Sequence, residues 1–302
     1  MKIAADHFPH VKVIATGSST LGAASQFRDT LTGRKADLWL TPMMSADLRD
    51  FGKVRLPHRF LLGGLPPFFL AEETFPEKDF QEWLDSYWAK DIQEMFRLEK
   101  RYSFQRFFEM LLIQSGGLFQ ALSFSGPCEV SRTTISNYLA VLESTYAVHV
   151  LRPFSSGKAA EIVSQPKVYG FDTGFVAYLK GWSSLRPADY GTCWEHYVLN
   201  ELHARLQNRS LHYWRDKAGH EIDFVLARRG KPPVAIECKW RFSEFEPRQF
   251  EAFLRKYPEA DCFLVCSDID RPLTRTVASR TIKVVNLETL IKLLQAKNPP
   301  NH

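Results

Sequence analysis

Cysteine is scarce: the chain has five, an odd number, with no CxxC pair among them. That excludes a disulfide framework and a zinc site built on paired thiols. Cys238, Cys262 and Cys266 fall in apolar, strand-like stretches, so buried free thiols are expected. No hydrophobic run is long enough to span a bilayer. The greasiest, "FLLGGLPPFFLA", is broken by Gly63, Gly64, Pro66 and Pro67. No segment has the pattern of a secretory signal peptide, so the expectation is a cytoplasmic protein with no membrane partner. Internal repeats and low-complexity tracts are absent as well. So is a complete phosphate-binding loop. In "GSSTLGAAS", Gly17 and Gly22 have the spacing of G-x-x-x-x-G-K-[ST], but Ala23 and Ala24 follow where the lysine and hydroxyl residue belong. No ATP is expected to bind this chain alone.

What the sequence does contain is ample core material. With 302 residues it is long enough for two or three domains, and its 23 Phe and seven Trp are expected mostly inside. A formal net charge of +5 is compatible with nucleic acid as a partner and does not by itself establish one.

Along the chain, "VKVIAT" (11–16) has the composition of a strand, followed by a helix to about Leu31 and a second strand, "ADLWLT" (36–41). From about 57 to 115 the apolar spacing is helical, as in Phe80, Trp83, Leu84, Tyr87 and Trp88. Ser131 stands as an N-cap with Thr134 three residues on. The helix that follows turns Ile135, Tyr138, Leu139 and Leu142 inward and leaves Arg132, Thr133, Ser136 and Asn137 outward. "YAVHVLRPF", a loop and "KVYGF" then form a two-stranded ribbon, and helix plus ribbon suggest a winged helix-turn-helix. Those four outward residues are the candidate DNA contacts, the alternative being a rigid protein–protein module. From about 165 the pattern is α/β: a helix at 192–206, the strands "LHYWR", "EIDFVLA" and "PVAIECKW", a helix near 247–256, the strands "CFLVC" and "TIKVVN", and a final helix.

Two of these strands carry the chemistry. Alternation puts Glu221, Asp223 and Val225 on one face and Ile222, Phe224 and Leu226 on the other. The short turn "ARRGKPP" makes the next strand an antiparallel neighbour, so Asp223 comes near Glu237, with Lys239 on the same face as Glu237. Adjacent carboxylates repel. A hard cation such as Mg²⁺ relieves that repulsion, and a nearby lysine can orient a bound water or balance charge on a phosphate. The alternative is a solvated sheet face with a Glu–Lys pair.

The pattern Asp-x13-Glu-x-Lys resembles the PD-(D/E)XK motif of restriction-endonuclease-like nucleases, with Ile222 in place of the proline. The resemblance implies Asp223 and Glu237 as metal ligands, Lys239 as a catalytic residue, and Glu195 of "CWEHYVLNEL" as an assisting acid in the metal site. In order, "VKVIATGSST", "LTGR", "GGLPPFF", "SRTTISNYLAVLEST", "PKVYGFDTGF", "WEHYVLNEL", "YWRDKAGHEIDFVL" and "AIECKW" are similar to the predicted AAA-type ATPases that carry a C-terminal nuclease-like domain. The resemblance implies an α/β protein in four parts. These are a partial AAA-type ATPase core at 1–55, a helical lid-like segment at 56–100, a winged helix at 101–164, and a restriction-endonuclease-like domain at 165–302. Ser18 or Ser19 would match the family's sensor position and Arg34 its nucleotide-facing arginine, while the Walker segments would lie upstream of Met1. A lone sensor strand has both edges unpaired, so 1–55 is expected to be the least stable part unless an ATPase-core partner or a second copy covers it. The functional expectation is a DNA-associated, Mg²⁺-dependent phosphodiesterase. The alternative is the C-terminal portion of an AAA-type ATPase whose nuclease-like domain binds DNA or protein without catalysis.

Overall fold

The computed structural model describes residues 38–297 apart from 53–54, 72–75, 94–95, 97–99, 156–164, 208–210 and 228–229, together with residues 7, 8, 10–12, 14 and 16. The described elements, in chain order, begin with α1 (Ser45–Asp50), α2 (Leu56–Leu62), α3 (Pro66–Phe69), α4 (Glu77–Tyr87, running into a π-helical turn at Trp88–Gln93) and α5 (Arg101–Ile113). Next come β1 (Gly117–Leu118), α6 (Ala121–Ser125), α7 (Arg132–Ser144), β2 (Val148–Pro153), β3 (Lys167–Gly170), α8 (Thr173–Leu179) and α9 (Asp189–Leu206). The last are β4 (Leu211–Arg215), β5 (Glu221–Leu226), β6 (Val234–Lys239), α10 (Arg248–Lys256), β7 (Asp261–Cys266), β8 (Leu273–Val277), β9 (Arg280–Val285) and α11 (Leu287–Lys297). The fold is α/β. Among the described residues no helix is long and apolar enough to cross a membrane, and all five cysteines are free and buried.

The chain groups into two compact units that alternate along the sequence: 1–39, 76–111 and 120–149 form one, and 40–75, 112–119 and 150–302 the other. In the first, helical spacing buries Phe80, Leu84 and Tyr87 of α4 and Phe104, Phe107, Phe108 and Leu111 of α5. Tyr138 of α7 meets Phe104 and Phe107. Ser131 caps α7, its hydroxyl accepting from the Thr134 amide at 3.1 Å. Ile135, Tyr138, Leu139 and Leu142 are buried, and Arg132, Thr133, Ser136 and Asn137 are exposed, as the helical period requires.

The second unit is built on a sheet of order β1-β3-β2-β4-β5-β6-β7-β9-β8. The β4–β5, β5–β6 and β8–β9 pairs are antiparallel; β2–β4, β6–β7 and β7–β9 are parallel. Apolar side chains fill both faces, which is why "VAIECK" is buried almost end to end. On one face Tyr197, Leu199 and Leu202 of α9 and Leu290 and Leu294 of α11 pack on Phe224, Ile236, Phe263 and Val285. On the other, Phe250, Phe253 and Leu254 of α10 pack on Ile222, Val225, Ala235 and Leu264.

The expected two-stranded ribbon is present, β2 beside β3, but it does not stand alone: β2 pairs in parallel with β4 through Arg152 and Pro153, and Leu151 is buried in the core. Its apolar residues serve a large sheet, and pairing with a strand some sixty positions away leaves no local signal. One expectation fails: the strands read at 11–16 and 36–41 do not appear at the positions described there, since residues 11, 12, 14, 16 and 38–41 adopt no strand.

Candidate active site

The antiparallel β5–β6 pair pairs Phe224 with Ile236 and Val225 with Ala235. Carried one step further, that register sets Asp223 opposite Glu237. Strict alternation does not hold along β5, because Ile222 and Val225 belong to the same core face. The irregularity lies opposite Tyr213, where β5 has one residue more than β4 between the Trp214–Ile222 and His212–Val225 pairs. A bulge re-aims the side chains beside it. Asp223 turns back on the strand pair, and its Oδ2 accepts the Cys238 amide at 2.8 Å.

Glu237 is 3 % exposed and Asp223 8 %. Lys239 Nζ donates to Glu237 Oε1 at 2.9 Å. Glu237 Oε2 is buried and has no hydrogen-bond partner among the described residues. From α9, Glu195 accepts Lys167 Nζ of β3 at 2.9 Å, and the same oxygen accepts the Tyr169 hydroxyl. Lys167 Nζ also reaches Glu221 Oε1 at 2.7 Å, and Arg215 holds Glu221 Oε2 at 2.9 Å.

The electrostatics follow from burial. Asp223 is pushed well above the usual carboxylate range by burial first, then by Glu195 and Glu237, against the pull of Lys167 and Lys239. Burial also raises Glu237, with Lys239 opposing it. For Lys239 burial works against the charge, yet Glu237 and Asp223 outweigh it and hold the ammonium above its ordinary value. Lys167 behaves the same way: burial is outweighed by Glu195, Tyr169, Asp223 and Glu221. His196, next to Glu195 in sequence, contacts the Gly170 carbonyl at 2.5 Å, and burial lowers it to about 3. It is a neutral core histidine.

A cleft of about 480 Å³ opens here, lined by residues that include Glu195, Asp223, Lys239, Trp240, Arg248 and Gln249. It lies beyond the carboxyl end of β6, where crevices form in α/β sheets. Among the described residues no three His, Cys, Asp or Glu side chains are grouped so as to hold a metal ion. The open acceptor among the described residues is Glu237 Oε2, and the charges of Asp223 and Glu195 both bear on this side chain.

Of the residues picked from the sequence, Glu195, Asp223, Glu237 and Lys239 come together. Arg132, Thr133, Ser136 and Asn137 sit in the other unit, exposed on α7. Ser18, Ser19 and Arg34 lie outside the described residues. Sequence reasoning missed Lys167 and Tyr169 and gave Glu221 no role beyond a place on the face of Asp223. The available signal was a lysine opening the otherwise apolar strand "KVYGF", in step with Tyr169 two positions on.

Residues 53–186 match a domain of unknown function, DUF8612, and residues 190–290 match a second, DUF4143. The cluster draws on both stretches, Lys167 and Tyr169 from the first and Glu195, Glu221, Asp223, Glu237 and Lys239 from the second. The chain is similar to uncharacterized proteins of Mycobacterium tuberculosis (Rv2008c) and Mycobacterium bovis (Mb2031c). Each is 27% identical over 229 residues, covering 73% of this chain and 51% of the relative. The chain therefore spans about half the length of the curated relatives it matches.

Proposed function

We propose that the α/β unit is a divalent-cation-dependent phosphodiesterase acting on DNA, with Asp223 and Glu237 as the ligand pair. The observation that carries this is Glu237 Oε2, a buried carboxylate oxygen without a donor, on a side chain that interacts with Asp223. An unpaired buried acceptor costs about 1–3 kcal/mol, and a cation bound between the carboxylates would remove that cost and their mutual repulsion together. Two carboxylates with waters and substrate oxygens completing the shell suit Mg²⁺, whose sites commonly have one or two protein carboxylates. Bound there, the ion would polarise a phosphoryl oxygen and a water. Lys239, held charged, donates to a phosphate oxygen or orients the attacking water. Trp240 and Arg248 complete the cleft wall against which a nucleotide would lie. The test is cleavage of supercoiled and branched DNA in Mg²⁺. Activity is expected for wild type and lost in Asp223→Asn, Glu237→Gln and Lys239→Met; equal traces for all four would remove the enzyme reading.

A second reading has its own support. Lys239 is already paired with Glu237, no three-ligand group is present among the described residues, and the curated relatives are about twice as long as the aligned stretch. These fit the C-terminal portion of an AAA-type ATPase whose nuclease-like domain binds DNA or protein without cutting, and DUF4143 domains are often found in AAA-ATPase-like proteins. DNA affinity indifferent to Mg²⁺ and to Glu237→Gln favours it, as does a Walker A sequence encoded upstream of Met1.

A further inference from the structure

Beside the cleft, the β4–β5 hairpin carries cations that the reaction does not use. β5 begins at Glu221 and its antiparallel neighbour β6 ends at Lys239. The turn of residues 216–220 therefore projects from the same end of the sheet as the cleft. The Glu221 amide donates to Gln249 Oε1 at 3.2 Å, and Gln249 lines the cleft. The backbones of β4 and β6 are two strand spacings, about 10 Å, apart. The turn is stiff. Asp216 Oδ1 accepts the His220 amide at 2.9 Å, and Oδ2 meets His220 Nδ1 at 2.8 Å. Gly219, at φ +89°, donates its amide to the Asp216 carbonyl at 3.2 Å.

The hairpin's acids are taken and its cations are not. Asp216 is used within the turn. Glu221 is held by Lys167, whose side chain is 5 % exposed, at 2.7 Å and by Arg215 at 2.9 Å. Arg215 uses Nη1 for that bond, and its Nη2 has no hydrogen-bond partner among the described residues. The Arg215 side chain is 36 % exposed. A carboxylate anchored on a buried ammonium thus holds one edge of a guanidinium and leaves the other open. Lys217, exposed at the tip, pairs with no carboxylate among the described residues. The other acids lining the cleft, Glu244 and Glu246, precede α10 in the chain, and Glu246 is paired with Arg248 at 2.7 Å.

Resting on the DNA reading above, we propose that the β4–β5 hairpin is a backbone grip for the strand that enters the cleft. Arg215 presents its open edge, and Lys217 its ammonium, to phosphates near the one met by Lys239. The separation of β4 from β6 corresponds to about three phosphates, at about 3.4 Å each along a duplex axis. A guanidinium has donors enough to hold a carboxylate on one edge and a phosphate on the other. Such contacts touch no base, so they fix position along the strand without reading sequence.

The experiment measures binding of fluorescein-labelled duplex and single-stranded DNA to the full chain by anisotropy. It is run in EDTA and again in Ca²⁺, across roughly 50–300 mM NaCl. Each lost phosphate contact lowers the log–log salt slope by about 0.9 on duplex or 0.7 on a single strand. At about 0.1 M salt that is about an eightfold or a fivefold loss of affinity. Lys217→Gln is expected to show this loss on every sequence tested, and its exposed position separates the effect from unfolding. Arg215→Lys keeps a cation on Glu221 but gives up the open edge, and should lose as much. Lys231→Gln makes the same charge change on the exposed turn at the far end of β5 and should bind as wild type. Lys217→Gln binding as wild type, or losing no more than Lys231→Gln, overturns the proposal. Hairpin-dependent binding without Mg²⁺-dependent cleavage leaves the grip standing and removes the catalytic reading. No DNA binding by wild type in either condition overturns the DNA reading and this proposal with it.

Discussion

Replacing Asp172 with alanine tests the part of the fold that holds β3, and with it Lys167 and Tyr169, against α9. Asp172 is the N-cap of α8, and its two oxygens accept the amides of Gly174 and Gly64 at 2.7 Å each. Arg59 lies 3.7 Å from Oδ2, 0 % exposed, and donates to the Met43 carbonyl and the Thr173 hydroxyl. Truncation leaves two buried amides without acceptors, at about 1–3 kcal/mol each, and a buried guanidinium without its counter-charge, at about 3–5 kcal/mol. These overlap, because the Gly64 amide and Arg59 share one oxygen. The loss is therefore about 4–6 kcal/mol, a large share of the roughly 5–15 kcal/mol a domain has. Asp172→Asn keeps one acceptor and should lose about half as much.

The same carboxylate has a pH signature. Burial raises Asp172 above its ordinary value, outweighing the pull of Arg59 and the amides. The native state then holds the proton more tightly than the unfolded chain. Its favourable contribution is full below the unfolded value near 4 and declines as pH rises through the raised native value. Asp172→Asn removes that decline. The assay is urea unfolding between pH 4 and 8, with hydrogen exchange on peptides from 55–71 and 165–185 to locate the opening. A loss below about 1 kcal/mol for Asp172→Ala at pH 7 would refute the reasoning, because it would mean that water reaches Arg59.

Further outcomes follow from local geometry. A Cβ on Gly174 would stand 2.5 Å from the Leu62 carbonyl oxygen, a backbone atom that cannot rotate away; Gly174→Ala should cost about 1–3 kcal/mol despite its better helix propensity, read as a lowered melting temperature. Ser131→Ala removes the cap on α7 and should cost about 1 kcal/mol, with Ser131→Asp restoring it, as measured by urea unfolding. Arg132→Ala and Asn137→Ala, both on the exposed face of α7, should leave stability within about 0.5 kcal/mol; any loss of DNA affinity they cause is then a contact effect, measured by filter binding at two salt concentrations.

Periodicity made much of this legible. The inward face of α7 follows from the helical period, the antiparallel β5–β6 pair and the nearness of Asp223, Glu237 and Lys239 from a short turn between two strands, and Glu195 is reached only through the resemblance. What the sequence could not announce depends on contacts far apart in the chain. Lys167 meets Glu195 across 28 positions and Glu221 across 54. Arg59 meets Asp172 only after α2 packs on α8, so "GGLPPFF" reads as a greasy break until Gly63 and Gly64 are seen against Asp172. The bulge in β5 was hidden for a different reason. A bulge adds one residue to a strand whose composition stays strand-like, and only the partner's register reveals it.

The energetic sense of the cluster is the stronger argument for treating it as a site. Replacing a buried ionic group by apolar side chains of similar volume is often neutral or stabilising, and the surrounding positions, Phe224, Ile236 and Cys238, are already apolar. Stability alone therefore gives no reason to place four carboxylates here. Their satisfaction is also graded. Glu221 has a cation on each oxygen, Glu195 has two donors on one oxygen, Asp223 has a backbone amide, and Glu237 has Lys239 on one oxygen and nothing on the other. A purely structural network would be expected to close its last acceptor, since a partly satisfied network is worse than an apolar core. This one is closed around Glu221 and left open at the buried second oxygen of Glu237, which has no donor among the described residues.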